Sequence, residues 1–289
     1  MNRSVRVLAS IAALALLFAG LGCSKLRARD QLNKGVQSFK NAKYEEAIEH
    51  FKNAVSLDPS LLTARLYLGT AYMQQFVPGV DSPENDRYAA SAVDEFKSVL
   101  AESSTNRENR LHALKSIASL YYNKKEFDKA IDFYRQAAQL DPNDPETYYM
   151  LGVISWADTY NTAAIAKGKI ALKVDDEFRK DKAHAKDDQQ VCQQLKSTNG
   201  PKVDAGLDAL DKALKLRQDY EDAMAYMNLL YRRKADVECG NPEGRATDIK
   251  SADMWSDKAM DIRKEKLKKQ DQGQPGGIVL EQGQQQGAK

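Results

Sequence analysis

The sequence of 289 residues has few of the side chains that most often carry catalysis or bind metals. It contains only three histidines and three cysteines. His50, His112 and His184 are isolated, and no HExxH, CxxC or CxxCH motif occurs, so zinc proteolysis, thiol redox chemistry and haem attachment are not indicated. A GxxxxGK(S/T) phosphate loop and a GxSxG nucleophile turn are also missing. We therefore predict no catalytic residue, no metal site and no cofactor.

The sequence also lacks an excess of charge of either sign. It has 43 Lys and Arg against 41 Asp and Glu. Removal of residues 1–22 would take away Arg3 and Arg6 and no acid, and would leave 41 residues of each sign. Proteins that bind nucleic acid usually carry a basic stripe. We therefore predict no nucleic-acid partner, and nothing in the sequence indicates a small-molecule substrate.

One long apolar run lies near the start of the sequence. Arg3 and Arg6 precede an almost wholly apolar segment from Val7 to Leu21, and Gly22 directly precedes Cys23. This order of basic, apolar and small residues is typical of a secretory signal peptide. Together with the cysteine, it resembles the bacterial lipoprotein signal.

The lipoprotein resemblance implies a signal peptide at residues 1–22, and an acylated Cys23 followed by a short linker within residues 23–27. It also implies export and a lipid anchor facing the periplasm. Ser24 in place of Asp favours the outer over the inner membrane, by similarity to the sorting rule of some bacteria with two membranes. The family usually has Leu where this chain has Gly20. The alternative is an uncleaved membrane helix, because about 18 apolar residues can just span a bilayer.

The rest of the sequence repeats itself. The segments KYEEAIEHFKNAVSLDPS from Lys43 and EFDKAIDFYRQAAQLDPN from Glu126 share their aromatic, acidic, Ala-Ile and Leu-Asp-Pro positions in one register. LYLGTAY from Leu66 and YYMLGVISW from Tyr148 share a Leu-Gly pair. These patterns resemble the tetratricopeptide repeat (TPR), whose period is 34 residues. The resemblance implies an all-α fold, a solenoid of stacked helix-turn-helix units.

We predict about five repeats within residues 28–266. Each repeat needs small residues where its two helices approach most closely, and these residues set the register. Such residues stand in the first helices at Gly35, Gly69, Ala118 and Gly152, and in the second helices at Ala47, Ala92, Ala130, Gly206 and Ala252. The predicted repeats are residues 28–61, 62–106, 111–144, 145–220 and 221–266.

Three repeats carry insertions, of 11, 42 and 12 residues, between the small residues of their two helices. All three insertions fall in the turn inside a repeat, so we expect them along one edge of the array, where insertions often form a binding face. In the longest insertion we expect the first helix to continue past Trp156. We expect the chain to return through a separate short helix near residues 189–196.

Two cysteines lie in the insertions of the fourth and fifth repeats, at Cys192 and Cys239. If Cys23 carries lipid, these two remain as a possible pair, and an exported protein meets an oxidising compartment in which a disulfide persists. We predict this disulfide. The alternative is two unrelated thiols.

In TPR proteins the first helices line a concave surface. The repeat register places an apolar and aromatic row there, flanked by two cations, and buried aromatic and Arg side chains often dominate protein–protein contacts. The candidate partner-binding residues are Phe39, Met73, Lys115, Tyr122, Tyr149, Trp156 and Arg232. For each of these side chains the alternative is packing against a neighbouring repeat.

The end of the sequence, residues 271–289, is rich in Gln and Gly, with one apolar run at Ile278–Leu280. Such a composition buries too little apolar surface to offset the entropy lost on ordering, so we predict disorder. The apolar run is either a docking peptide or a part of a linker that is apolar by chance.

These observations together predict a membrane-anchored scaffold of the bacterial cell envelope that binds a partner protein through the concave groove or the loop edge. A first alternative is a structural subunit of an outer-membrane assembly or tethering complex. A second is an enzyme whose site lies in the 157–202 insertion.

Overall fold

The computed structural model describes residues 23–179 and 181–273, and nothing but helix, turn and loop occurs in these ranges. The predicted signal peptide and residues 274–289 of the predicted tail lie outside them. Helix covers residues 271–273, where we predicted disorder, and residues 23–27, where we predicted a linker.

Ten helices make up the regular structure of the described ranges, and none of these helices is long and apolar enough to cross a membrane. The first, α1, covers residues 23–40. The others are α2 (Tyr44–Leu57), α3 (Leu62–Gln75), α4 (Pro83–Ala101), α5 (Arg107–Asn123), α6 (Phe127–Leu140), α7 (Pro145–Gly168), α8 (Ala185–Leu216), α9 (Glu221–Ala235) and α10 (Pro242–Gly273).

The chain forms two compact units, and the boundary between them lies inside α7, after Ile154. In the first unit each helix from α2 to α6 packs against the next, and α3 also contacts α5. In the second unit α8 packs against α9, and α9 against α10. Packing of successive helices in this order confirms the predicted all-α, TPR-like fold.

In the core of the first unit, small residues face large aromatic rings, as the register predicted. Phe51 and Phe96 are fully buried. A Cβ atom on Gly35 would lie 2.5 Å from the Phe51 ring, and one on Gly69 would lie 3.0 Å from the Phe96 ring. The glycines are therefore required for packing of the rings. The other small positions in this unit hold fully buried alanines, at Ala47, Ala92, Ala118 and Ala130.

Capping side chains set the starts of two helices in the first unit. The Ser82 side chain accepts a hydrogen bond from the Asn85 backbone N–H at 3.2 Å and caps α4. The Asn106 side chain caps α5 in the same way. Because of this cap, α5 begins at Arg107, ahead of the predicted start of the third repeat at residue 111.

The first insertion forms an ordered turn over residues 76–82. The side chain of Asn85 is buried, accepts a hydrogen bond from the Val77 N–H (2.7 Å) and donates to the carbonyl oxygens of Val77 (2.9 Å) and Val80 (2.8 Å). These bonds hold the turn against α4 and leave both valine side chains about half exposed.

The second unit confirms one expectation about the longest insertion and corrects another. Helix α7 continues past Trp156 as far as Gly168. The separate short helix expected near residues 189–196 is wrong, because α8 is a single helix of 32 residues that includes this segment and the second helix of the repeat.

Helix α8 remains continuous although it contains Asn199-Gly200-Pro201, a sequence that usually marks a turn. Proline removes one N–H from the helical ladder. The buried Asn199 side chain donates a hydrogen bond to the Thr159 carbonyl oxygen at 2.9 Å, and this bond fixes the middle of α8 on α7. Tertiary contact therefore outweighs the local turn preference.

The packing of Phe51 on Gly35 predicts different effects of one substitution at two helical glycines. Gly35→Ala should lower the free energy of unfolding by about 1–3 kcal/mol, because the buried ring has no room to move away from the added methyl group. Gly168→Ala should change it by less than about 1 kcal/mol, since nothing lies within 4 Å of its Cβ position. Urea denaturation followed by circular dichroism measures both, and equal effects would contradict the packing argument.

Candidate functional site

A cleft of about 990 Å³ lies in the second unit, between the insertions of the fourth and fifth repeats. One wall consists of residues 177–179, from the segment that joins α7 to α8, and the start of α8. The other wall consists of residues 235–241 and the start of α10. The apolar part of the lining is formed by Phe178, Ala185, Cys192, Ala235, Pro242, Ala246 and Ile249.

A disulfide between Cys192 and Cys239 joins the two walls of the cleft. The Cα atoms of the two residues are 5.8 Å apart, within the range that a disulfide spans without backbone distortion. Cys192 is buried on α8, and Cys239 lies in the loop before α10. The bond therefore fixes the distance between the two insertions.

The buried cation Lys167 binds the segment that leads into one wall of the cleft. Its side chain is fully buried near the end of α7 and donates hydrogen bonds to the carbonyl oxygens of Val174 and Asp176, both at 2.9 Å. Its Nζ also lies 3.1 Å from Asp236 Oδ1 and 5.0 Å from the centre of the Phe178 ring. Burial lowers the pKa of Lys167, and the carboxylate of Asp236 opposes that shift.

The carboxylate of Asp236 is shared by three cations. Besides Lys167, Arg233 Nη1 lies 3.1 Å from Oδ2, and Arg245 Nη1 lies 3.7 Å from Oδ1. The contact with Arg233 lacks hydrogen-bond geometry, so Asp236 Oδ2 forms an ion pair but no hydrogen bond. Asp236 and Arg233 are both buried, and Arg245 is partly exposed at the cleft.

The same cations bind the segment of residues 174–177, which has no helix of its own. Arg233 donates to the Val174 carbonyl oxygen (3.2 Å) and pairs with Asp175 (2.5 Å). Arg245 pairs with Glu177 at 2.9 Å. Since Asp236 holds the cations and the cations hold this segment, one buried carboxylate organises the long insertion. We call this group, formed by Lys167, Asp175, Glu177, Arg233, Asp236 and Arg245, the Asp236 network.

A second ion pair fixes the Phe178 side of the cleft to α8. Arg179 contacts both carboxylate oxygens of the buried Asp188, at 2.6 Å and 3.2 Å, and its backbone N–H also donates to that carboxylate. The hydrogen bond from Arg179 keeps the pKa of Asp188 below its usual value. The pair therefore stabilises the fold fully above about pH 4, the range of an unfolded Asp, and the stabilisation is lost as the pH falls through the folded-state pKa.

Of the three cations in the lining, one has no partner of opposite charge in the described part of the chain. This residue is Lys250, which is exposed on the first part of α10. The other two cations of the lining, Arg179 and Arg245, are engaged by Asp188 and Glu177. Glu238, an acidic residue of the same lining, accepts a hydrogen bond from Asn241 and likewise forms no ion pair within the described ranges. The cleft thus combines an apolar lining and fixed walls with one unpaired cation and one unpaired carboxylate.

The predicted concave-surface residues lie in both units, and most are half-buried against their own helical layers. In the first unit Phe39 and Met73 pack against the clusters around Phe51 and Phe96. Tyr122 packs beside Phe127, with ring centres 6.1 Å apart, and burial raises its pKa.

The polar member of the row in this unit is also engaged. Lys115 pairs with Asp144 at 2.7 Å. Tyr149 is half-buried.

In the second unit the two remaining predicted residues also have partners. Trp156 contacts the rings of Tyr160 and Tyr226, with centres 5.3 Å and 5.5 Å away. Arg232 is exposed and pairs with Asp253 at 2.9 Å. Six of the predicted side chains are therefore placed by contacts within their own unit, and the sequence alone did not identify the cleft.

Sequence reasoning missed the Asp236 network. Lys, Arg, Asp and Glu make up 29% of the chain, and no local pattern separates the few that are buried from the many that are solvated. The one available signal was position, because Lys167 lies beyond the expected end of a first helix and Asp236 lies in the fifth-repeat insertion beside Cys239. The described residues contain no group of three or more His, Cys, Asp and Glu side chains placed to hold a metal ion.

Comparison with known proteins identifies the helical repeat. The family model described as the TPR repeat matches residues 35–75 and 118–158. A search of curated proteins finds no match. A solved structure of the MamA protein is 17% identical over 84% of this chain and 94% of its own, with a TM-score of 0.53. The 41-end fragment of MamA from Desulfovibrio magneticus RS-1 is 15% identical over 83% and 96%, also with a TM-score of 0.53. At these identities the likeness concerns the fold alone.

The Asp236 network predicts that its central carboxylate contributes far more to stability than a surface carboxylate does. Asp236→Ala would leave Lys167 buried without its counterion, and loss of one partner of a buried pair typically costs about 3–5 kcal/mol. The matched control is Asp211→Ala, which removes the exposed partner of Lys215 on α8 and should cost less than about 1 kcal/mol. Urea titration of the unfolding free energy measures both variants. A cost below 1 kcal/mol for Asp236→Ala would show that the network does not organise the unit.

Proposed function

Because the chain is a TPR protein, we propose that it is a protein-binding scaffold and that a partner protein binds in the cleft of the second unit. The observation that supports this assignment most directly is the combination of size and rigidity. A volume of about 990 Å³ is at the upper end of the range found for ligand sites. The disulfide and the Asp236 network hold both walls in place before any partner arrives.

Rigid walls favour binding because they are already ordered in the folded protein, so little conformational entropy is lost when a partner binds. The lining supplies apolar surface from Phe178 and Ile249, and the exposed Lys250 supplies a charge that can orient a partner segment. The cleft is also lined by residues of the fourth- and fifth-repeat insertions. A partner segment seated there would contact two insertions that an unmodified repeat does not have.

The two buried charged groups of the insertion favour binding over catalysis. In the 157–202 range, Lys167 is committed to Asp236 and to two carbonyl oxygens, and Asp188 is committed to Arg179. General acid–base chemistry needs titratable groups that can reach a substrate proton. These groups are instead engaged in holding the fold.

We further propose that the scaffold is exported and attached to the cell envelope through Cys23. Cys23 is exposed at the first residue of α1, where it is accessible to an acylating enzyme. The pairing of Cys192 with Cys239 is of the kind that persists in an oxidising compartment. Each CH₂ of an acyl chain buried in a bilayer contributes about 0.8 kcal/mol, so several chains would anchor the protein durably.

Substitution of Ile249 tests the proposed binding surface. Ile249→Glu places a negative charge on the apolar lining and should reduce partner recovery about thirtyfold, the equivalent of a 2 kcal/mol binding contact. Affinity purification from crosslinked membranes, with quantitative mass spectrometry, measures the recovery, and the melting temperature shows whether each variant is folded.

Two control variants accompany this experiment. Met260→Glu lies on the same helix outside the cleft lining and should recover the partner as the unsubstituted chain does. Tyr122→Ala tests the concave row. If Tyr122→Ala lost the partner while folded and Ile249→Glu retained it, the binding surface would be the concave row.

The proposed anchor predicts incorporation of fatty acid at one residue. Cells given a labelled fatty acid should label the unsubstituted protein, and Cys23→Ser should abolish the label and leave the leader uncleaved. Ser24→Ala is the control, because it changes the neighbouring side chain and keeps the thiol. Absence of label in the unsubstituted protein would exclude the anchor.

A further inference from the structure

The apolar run Ile278–Leu280 remains without a role in the function proposed so far. It is the only apolar triplet in residues 274–289, and the acidic residue Glu281 follows it directly. An apolar segment followed by one negative charge matches the part of the cleft on α10, where the apolar Ile249 adjoins the unpaired Lys250. This correspondence suggests that the chain itself carries a ligand for its own cleft.

The cleft presents the two features at neighbouring positions on one helix. Ile249 and Ala246 contribute to the apolar lining from α10, and Phe178 contributes from the opposite wall. Lys250 follows Ile249 directly, is exposed, and has no ion-pair partner in the described part of the chain. An apolar side chain between Phe178 and Ile249 would therefore bring an adjacent carboxylate close to Lys250.

The length of α10 excludes the tail of the same molecule. Ile249 and Gly273 are 24 residues apart on this helix, which separates them by about 36 Å. Ile278 follows Gly273 by five residues, and a fully extended chain of that length reaches only about 17 Å. The apolar run therefore falls well short of the cleft of its own chain, and a second copy must supply it.

We propose that residues 278–281 of one copy bind in the cleft of another, with Ile278–Leu280 on the apolar lining and Glu281 paired with Lys250. The inference rests on the proposed function, because it uses the same cleft as a peptide-binding site. The contact is heterologous, since the tail of one molecule meets the cleft of the next, and it allows chains or closed rings of the protein.

A peptide-binding experiment tests the contact directly. The probe is a fluorescent peptide of residues 274–283, QPGGIVLEQG, and the receiver is the full chain with Ile278, Val279 and Leu280 each replaced by Ser. Fluorescence anisotropy should show saturable binding. Ile249→Glu in the receiver should weaken binding at least tenfold, whereas Met260→Glu should leave it unchanged.

A charge exchange tests the ion pair separately from the apolar contact. Lys250→Glu in the receiver should weaken binding of the unsubstituted peptide, and a peptide carrying Glu281→Lys should restore it. Restoration requires that residues 250 and 281 face each other in the complex. A receiver that had only lost stability would not regain binding with the exchanged peptide. Failure of the exchanged peptide to bind any better than the original would overturn the assignment of Lys250.

Sedimentation velocity tests whether the tail comes from a second copy. The unsubstituted chain should assemble as its concentration rises, and the triple Ser variant should stay monomeric. If the unsubstituted chain stayed monomeric and bound peptide only after its own tail was substituted, the tail would occupy its own cleft and the second copy would be excluded.

Absence of peptide binding to the folded receiver would overturn the inference altogether. That result would leave the proposed function to be judged by partner recovery with Ile249→Glu, which does not involve the tail. The two proposals can therefore fail independently.

Discussion

The second unit depends on one buried carboxylate. Asp236 lies within 3.7 Å of Lys167, Arg233 and Arg245, and those cations in turn bind the backbone or side chains of residues 174–177. A buried cation without a counterion is costly, so the three cations remain together only while the Asp236 carboxylate is in place. The long insertion has no helix in this segment, and its course over the unit is set by these charges.

The candidate site follows from that constraint. The network fixes residues 174–177, and the next residues, 177–179, form a wall of the cleft. The disulfide then ties the start of α8, in the same wall, to Cys239 in the opposite wall. In an unmodified repeat a tight turn joins the two helices and leaves no such space. In the fourth and fifth repeats the insertions form a concave surface in place of a tight turn. The Asp236 network and the Cys192–Cys239 disulfide stabilise this surface.

The helical repeat could be predicted because it depends on local and periodic features. Gly35 and Gly69 stand where Phe51 and Phe96 pack, so the spacing of small and aromatic residues encodes the contact directly. The cleft depends on contacts between residues far apart in sequence, such as Lys167 with Asp236, and on which charges are buried. Nor could sequence alone reveal that α8 continues through Pro201, because the contact of Asn199 with Thr159 decides this. Prediction succeeded where the repeat period encodes the contact and failed where the contact depends on which of many charged side chains are buried.

The central claim is that a protein segment occupies the cleft of the second unit. A photo-crosslinking amino acid at position 249, in the full-length chain in its native cells, reports directly what lies against that surface. The account predicts a specific crosslinked protein, either a partner or a second copy, from position 249 and none from position 260 on the same helix. Crosslinks from positions 39 and 122 with none from position 249 would contradict the account and place the binding surface on the first helices of the repeats.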